Sequence, residues 1–133
     1  MEQASPQLEH GFTRIANELL EAITVYPFNA TELKIVLCLI RRTYGWKKKM
    51  EIISYGTIAK DINADIRYVK RLIRHLAEGR VVFKQKLGRQ NLMGLNKNYR
   101  LWRLWKTQNS GGELATVAVV NQPPGQWPPN PGK

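Results

Sequence analysis

The sequence predicts a mainly α-helical domain with a small β-hairpin, a winged helix-turn-helix. Three observations predict it. Two short amphipathic helices, read over 54–62 and 65–78, are separated by a tight turn at Asn63-Ala64. A β-prone alternation and a returning strand follow Gly79, with a turn at Gly88 and Asn91 between them. The net charge of +11 falls entirely on residues 66–106, which hold twelve Lys/Arg against one acid, Glu78.

At 133 residues and 43% hydrophobic content, the chain supports one domain with a modest core. The expected organisation is a flexible N-terminus over 1–10, a winged-helix domain over 11–106, and a linker with a proline-rich tail over 107–133. The longest strongly apolar stretch, IVLCLI at 35–40, falls far short of the roughly 20 residues a membrane helix needs. MEQASPQLEH has neither the basic start nor the apolar run of a signal peptide. A single cysteine, Cys38, rules out an internal disulfide, and a cytoplasmic protein is the simplest expectation.

A first helix is expected from Thr13 to Val25, with Ile15, Leu19, Leu20 and Ile23 facing inward. Pro27 disfavours helix at the residue before it, so Tyr26-Pro27-Phe28 ends the segment. Asn29, with Glu32 three residues on, has the spacing of a capping box. The helix it opens should run to about Thr43, with Leu33, Val36, Leu37 and Ile40 inside. Cys38 reads as a small core residue, and Arg41 and Arg42 suit the negative end of the helix dipole. Tyr44-Gly45-Trp46 makes a turn, Lys47–Lys49 a basic loop, and Glu51–Ile53 a short strand.

Ser54 is the expected cap of the next helix, with Ile58, Ala59 and Ile62 on its apolar edge. Asn63 tolerates the left-handed backbone of the turn, and Asp65 is the expected cap of the helix over Ile66–Glu78. Ile66, Val69, Leu72, Ile73 and Leu76 form one stripe of that helix, and Gly79 stops it. Arg67, Arg71 and Arg74 lie opposite the stripe, flanked by Lys70 and Tyr68. In the hairpin, Val81 and Phe83 point one way while Lys84 and Lys86 interrupt with charge, and Leu92–Leu95 returns. NKNYRLWRLW at 96–105 is aromatic and basic. Tyr99, Trp102 and Trp105 read as packing residues, with stacking on bases as the alternative.

Charge of one sign on one helix and hairpin points to a polyanion. A membrane surface would need the apolar stripe that the core requires. A helix of this kind suits the B-form major groove better than the narrow A-form one, so double-stranded DNA is the expected partner. Arg67, Tyr68 and Arg71 are the candidates for base edges, Lys70 and Arg74 for phosphates. Lys84, Lys86 and Arg89 are the phosphate candidates on the hairpin. Lys47, Lys48, Lys49 and Ser54 are further candidates for phosphate contact, with a solubilising loop as the alternative for the lysines.

Two histidines and one cysteine give zinc no credible ligand set, and there is no GxxxxGK[ST] phosphate loop. Asp61 and Asp65 are explained by helix surface and cap, and no nucleophile–base grouping stands out. The sequence therefore predicts no enzyme, no cofactor and no metal. Beyond Lys106, TQNSGGE reads as a linker, LATVAVV as a β-prone run and QPPGQWPPNPGK as an extended tail. Its alternative reading is a docking strip, with LATVAVV adding a strand to a partner's sheet and Trp127 as anchor.

GFTRIANELLEAI at 11–23, LKIVLCLIRRTYGWKKK at 33–49 and GLNKNYRLW at 94–102 resemble the amino-terminal domain of the phage replication O protein family. The resemblance covers about residues 11–106; the RRTYGW turn and the GLNKNY ending are its more specific parts. It implies a winged-helix initiator domain that binds repeated sites in a phage replication origin, typically as a dimer, inside the bacterial host. Ile66–Glu78 would be its reading helix and about Val81–Leu95 its wing. Family members usually continue into a second domain that recruits the host helicase or its loader, and this sequence ends at Lys133. On this resemblance, the alternative docking reading of residues 107–133 has a host replication protein as its partner. The alternative within DNA binding is a phage transcription regulator on the same fold.

Overall fold

The computed structural model describes residues 3–103. Trp105, the linker and the proline-rich tail lie outside the described residues. Within them, α1 (Asn17–Val25) and α2 (Ala30–Thr43) lead into β1 (Glu51–Ile52), then α3 (Tyr55–Ile62), α4 (Ile66–Glu78), β2 (Val82–Leu87) and β3 (Gln90–Leu95). Single 3-10 turns occur at Leu8–His10, Tyr44–Trp46 and Tyr99–Leu101. The protein is thus mainly helical, with one small antiparallel sheet of order β1-β3-β2.

Local chemistry sets the helix starts. The Asn29 side chain accepts from the Glu32 amide at 2.7 Å while the Glu32 carboxylate accepts from the Asn29 amide at 2.8 Å, completing the expected capping box. Ser54 Oγ accepts from the Thr57 amide at 3.0 Å and opens α3. Asn63 closes α3 in the left-handed region at φ 57. Asp65 differs from expectation. It occupies the cap position of α4 with extended backbone, but its side chain makes no capping hydrogen bond.

The core lies where α2, α3 and α4 meet the sheet. Ile35, Val36 and Leu39 of α2, Ile58 of α3, Val69, Ile73 and Leu76 of α4, and Met93 of β3 are all buried. Several inward assignments shift by one position. Leu20 and Leu37 are 42% and 46% exposed, because the stripes of α1 and α2 centre instead on Leu19–Ala22–Ile23 and on Ile35–Val36–Leu39–Ile40. Ile66 is 40% exposed, one turn short of where α4 enters the core. α1 begins at Asn17 and not at Thr13; the extended Ala16 has no side-chain cap, and Ile15 packs on the core from outside the helix.

The hairpin also differs by one residue. Arg80 takes the left-handed conformation, φ 62, after Gly79, and both Val81 and Val82 are then buried. Phe83 consequently falls on the outer face and is 55% exposed, since a one-residue slip turns a strand side chain over. Gly79 itself has φ -84. Its need for glycine is one of space: a Cβ there would lie 1.7 Å from the Arg103 carbonyl oxygen.

The C-terminal described stretch completes the core. Trp102 is fully buried and its Nε1 donates to the Asn96 carbonyl at 2.7 Å. Its ring meets Tyr26 edge-on at 5.1 Å and Phe28 at 5.9 Å. Tyr26 donates to the Tyr99 carbonyl at 2.8 Å, and Tyr99 donates to Glu18. Asn96 holds the turn together by donating to the Arg80 carbonyl at 2.8 Å and accepting from the Asn98 amide at 3.1 Å. Tyr99 and Trp102 are therefore packing residues.

Candidate nucleic-acid interface

α4 carries the surface. Val69, Leu72, Ile73 and Leu76 anchor it in the core, which leaves Arg67, Lys70, Arg71 and Arg74 exposed on the other side. Tyr68 is half-buried against the core, and the Arg71 guanidinium lies 5.0 Å from its ring centre. That contact restrains Arg71, whose planar fork suits guanine edges and phosphates.

The hairpin is tied to α3 and α4 through one aromatic residue. Lys84 Nζ donates to the Tyr55 hydroxyl at 2.9 Å and stands 5.6 Å from its ring centre. Lys70 of α4 reaches the same ring at 5.8 Å. Tyr55 was not singled out in the sequence. The only signal there is its place directly after the Ser54 cap.

Beside it runs a groove of about 310 Å³ between the start of α3, the start of α4 and the hairpin turn. Ser54, Lys70 and Arg89 line it together with Tyr55 and Ile66. Arg89 follows Gly88, which supplies the positive φ, 62, that a two-residue hairpin turn requires. Lys86 is exposed and shares a strand face with Lys84. The Ser54 hydroxyl is engaged in the cap and donates to Thr57 Oγ1 at 2.9 Å.

Lys47, Lys48 and Lys49 are not part of this grouping. β1 runs antiparallel to β3, with Glu51 opposite Met93 and Ile52 opposite Leu92, so the chain before β1 lies at the end of the sheet away from the hairpin turn. There the three lysines line a different cleft, with Arg14 and Lys97.

Asp61 and Cys38 have a structural explanation. Arg42 of α2 donates through Nε and, at 3.1 Å, through Nη2 to the Asp61 carboxylate of α3. The bonds from Arg42 hold the Asp61 carboxyl below its ordinary range. The Cys38 thiol donates to the same carboxylate at 3.4 Å, and burial first, then that bond, pushes the thiol up to about 11. No helix among the described residues is long and apolar enough to cross a membrane.

The described residues form a small helical domain that displays four cations on one helix and joins them to a basic hairpin, a candidate surface for a polyanion. Residues 5–102 match the family model described as bacteriophage replication protein O, and the chain belongs to that family. It is 29% identical to replication protein 15 of Enterobacteria phage phi80 over 101 residues, covering 76% of this chain and 33% of that protein. It is 29% identical to replication protein O of Escherichia phage lambda over 104 residues, covering 78% of this chain and 29% of that protein. It is 32% identical to DNA replication protein gp18 of Salmonella phage P22 over 120 residues, covering 90% and 42%. The matched regions thus span between 29% and 42% of these relatives. No solved structure matches the chain.

Proposed function

We propose that the chain is the origin-binding part of a phage replication initiator, a winged helix-turn-helix that reads double-stranded DNA without catalysing a reaction. α3, the Asn63 turn and α4 form the helix-turn-helix, and the β2–β3 hairpin is the wing. Arg67 and Arg71 face base edges in the major groove. Lys70, Arg74, Lys84, Lys86 and Arg89 hold phosphates on either side. Tyr68 serves this arrangement by supporting Arg71.

The observation that carries the reading is the meeting of Lys70 and Lys84 at Tyr55. It makes one continuous basic surface from two elements that a duplex would contact together. Membership of the replication protein O family supplies the replication context.

Selection of bound duplexes from a random-sequence pool at near-physiological salt tests it. One enriched motif that recurs in a phage replication origin is expected, and an inverted repeat would mean two copies bind together. Enrichment of promoter sequences would assign the chain to transcription. The absence of any motif would remove the base-reading role.

A further inference from the structure

Five of the cations outside α4 and the hairpin lie together. Arg14, Lys47, Lys48, Lys49 and Lys97 surround a cleft of about 450 Å³ at the far end of the sheet. β3 separates that end from the hairpin turn by roughly 17 Å, at the usual rise per strand residue. The cleft shares no lining residue with the groove beside Tyr55.

Its floor is apolar where its rim is charged. Ile15, Leu19 and the half-buried Tyr44 line the inside. The Tyr44 hydroxyl is buried without a hydrogen-bond partner, and burial raises its pKa, so it remains a donor. The acid in the lining, Glu18, accepts from the Tyr99 hydroxyl and keeps its negative charge, so the five cations remain in excess over it. Lys48 is partly engaged, with Glu51 at 3.4 Å.

We propose that this cleft binds single-stranded DNA, with an unpaired base against the Ile15–Leu19–Tyr44 floor and its phosphates along the lysine rim. A duplex backbone offers phosphates and sugar to a protein surface but keeps its base faces stacked, so it has no use for an apolar floor. An unpaired strand presents both a charged backbone and bare base faces, the combination that single-strand sites meet with cations and apolar or aromatic side chains. This site is separate from the duplex surface proposed above, and the two stand or fall independently.

The test is a fluorescence-anisotropy titration of the full chain against a labelled twelve-nucleotide oligothymidylate and a labelled duplex. Lys49→Ala/Lys97→Ala should weaken single-strand binding about tenfold while changing duplex affinity less than about twofold. Arg67→Ala/Arg71→Ala, on α4, should do the reverse. An abasic strand of the same charge should bind about fivefold more weakly than oligothymidylate. All the substituted side chains are exposed, and a thermal melt verifies that the variants fold. Equal losses on both ligands from the Lys49/Lys97 pair would make the cleft an extension of the duplex footprint and overturn the proposal. Undiminished binding of the abasic strand would overturn the base site. Displacement of the strand by thymidine monophosphate at equal nucleotide concentration would assign the cleft to free nucleotides and also overturn it.

Discussion

The ammonium group of Lys84 is hydrogen-bonded to the hydroxyl of Tyr55, residues that stand 29 positions apart. The bond links the hairpin to the start of α3, in addition to the pairing of β1 with β3, and the Lys70 ammonium faces the same ring. Tyr55→Phe keeps the ring and removes the bond. Because the pair is exposed, the melting point should move little, by less than about 1 kcal/mol of stability. Duplex affinity should fall about threefold through a freer hairpin. Anisotropy titration beside a thermal melt checks both, and an unchanged affinity would mean that the hairpin's position does not matter for binding.

Arg71 and Lys86 should fail in different ways. Arg71→Ala is expected to cost about 1–3 kcal/mol on a selected site and to loosen its sequence preference. Lys86→Ala should weaken all duplexes alike and make the salt dependence of log K shallower by about one unit. Equal loss of Arg71→Ala on selected and random duplex would place that arginine among the phosphate contacts.

Acid should loosen the joint between α2 and α3. Arg42 lowers the Asp61 pKa in the folded state. The pair therefore adds stability above the ordinary carboxylate range, and this is lost as pH falls through the lowered folded value. Both side chains are about one-third exposed or more, at 39% and 33%, so solvent screening limits the effect to less than about 1 kcal/mol. Asp61→Asn should melt lower than the parent at pH 7, and the gap should close by about pH 2. A gap that persists at that pH would mean Asp61 acts through shape alone.

Cys38 should be inert until the protein unfolds. Its thiol is buried and stays protonated, with a pKa pushed to about 11. Alkylation by iodoacetamide at pH 8 should be at least about tenfold slower in buffer than in denaturing urea, because the thiolate is the nucleophile. Comparable rates in the two conditions would show that α2 opens readily.

Gly79 should tolerate no side chain. Gly79→Ala sets a methyl group 1.7 Å from the Arg103 carbonyl oxygen, and backbone has to move. A loss of about 1–3 kcal/mol in urea denaturation is expected. A neutral result would mean that the 79–103 contact is loose in solution.

Where local chemistry decides, the structure was legible in the sequence. The Asn29–Glu32 box, the Ser54 cap, the Asn63 turn and the apolar stripe of α4 from Val69 to Leu76 all depend on residues within a few positions of one another. The misplaced residues depend on more distant causes. Leu20 and Leu37 fit an inward helical pattern, but the facing layer covers only the neighbouring stripe. Phe83 faces outward because Arg80, not Gly79, takes the left-handed position; local preference favours the glycine, and the close approach of Arg103 that requires Gly79 comes from far along the chain. For the candidate surface, Lys70 and Lys84 are visible as cations in basic segments. Their common neighbour Tyr55 is not visible, because the contact is made across 29 residues. The far placement of Lys47–Lys49 follows from the pairing of β1 with β3; the short strand was legible, but its partner, about 40 residues on, was not.

Trp102 is also a clock. α4 is finished at Glu78, yet the tryptophan that seals the core behind α1 comes 24 residues later in the order of synthesis. Tyr26 reaches forward 73 residues for the Tyr99 carbonyl, and Glu18 is reached from 81 residues away. Contacts of such long sequence separation form late. A nascent chain therefore carries its most basic helix exposed before the scaffold that aims it exists. On the function proposed above, selective grip on a duplex would begin only after residue 102 has been made, and a fragment cut short before it would keep the charge without the aim.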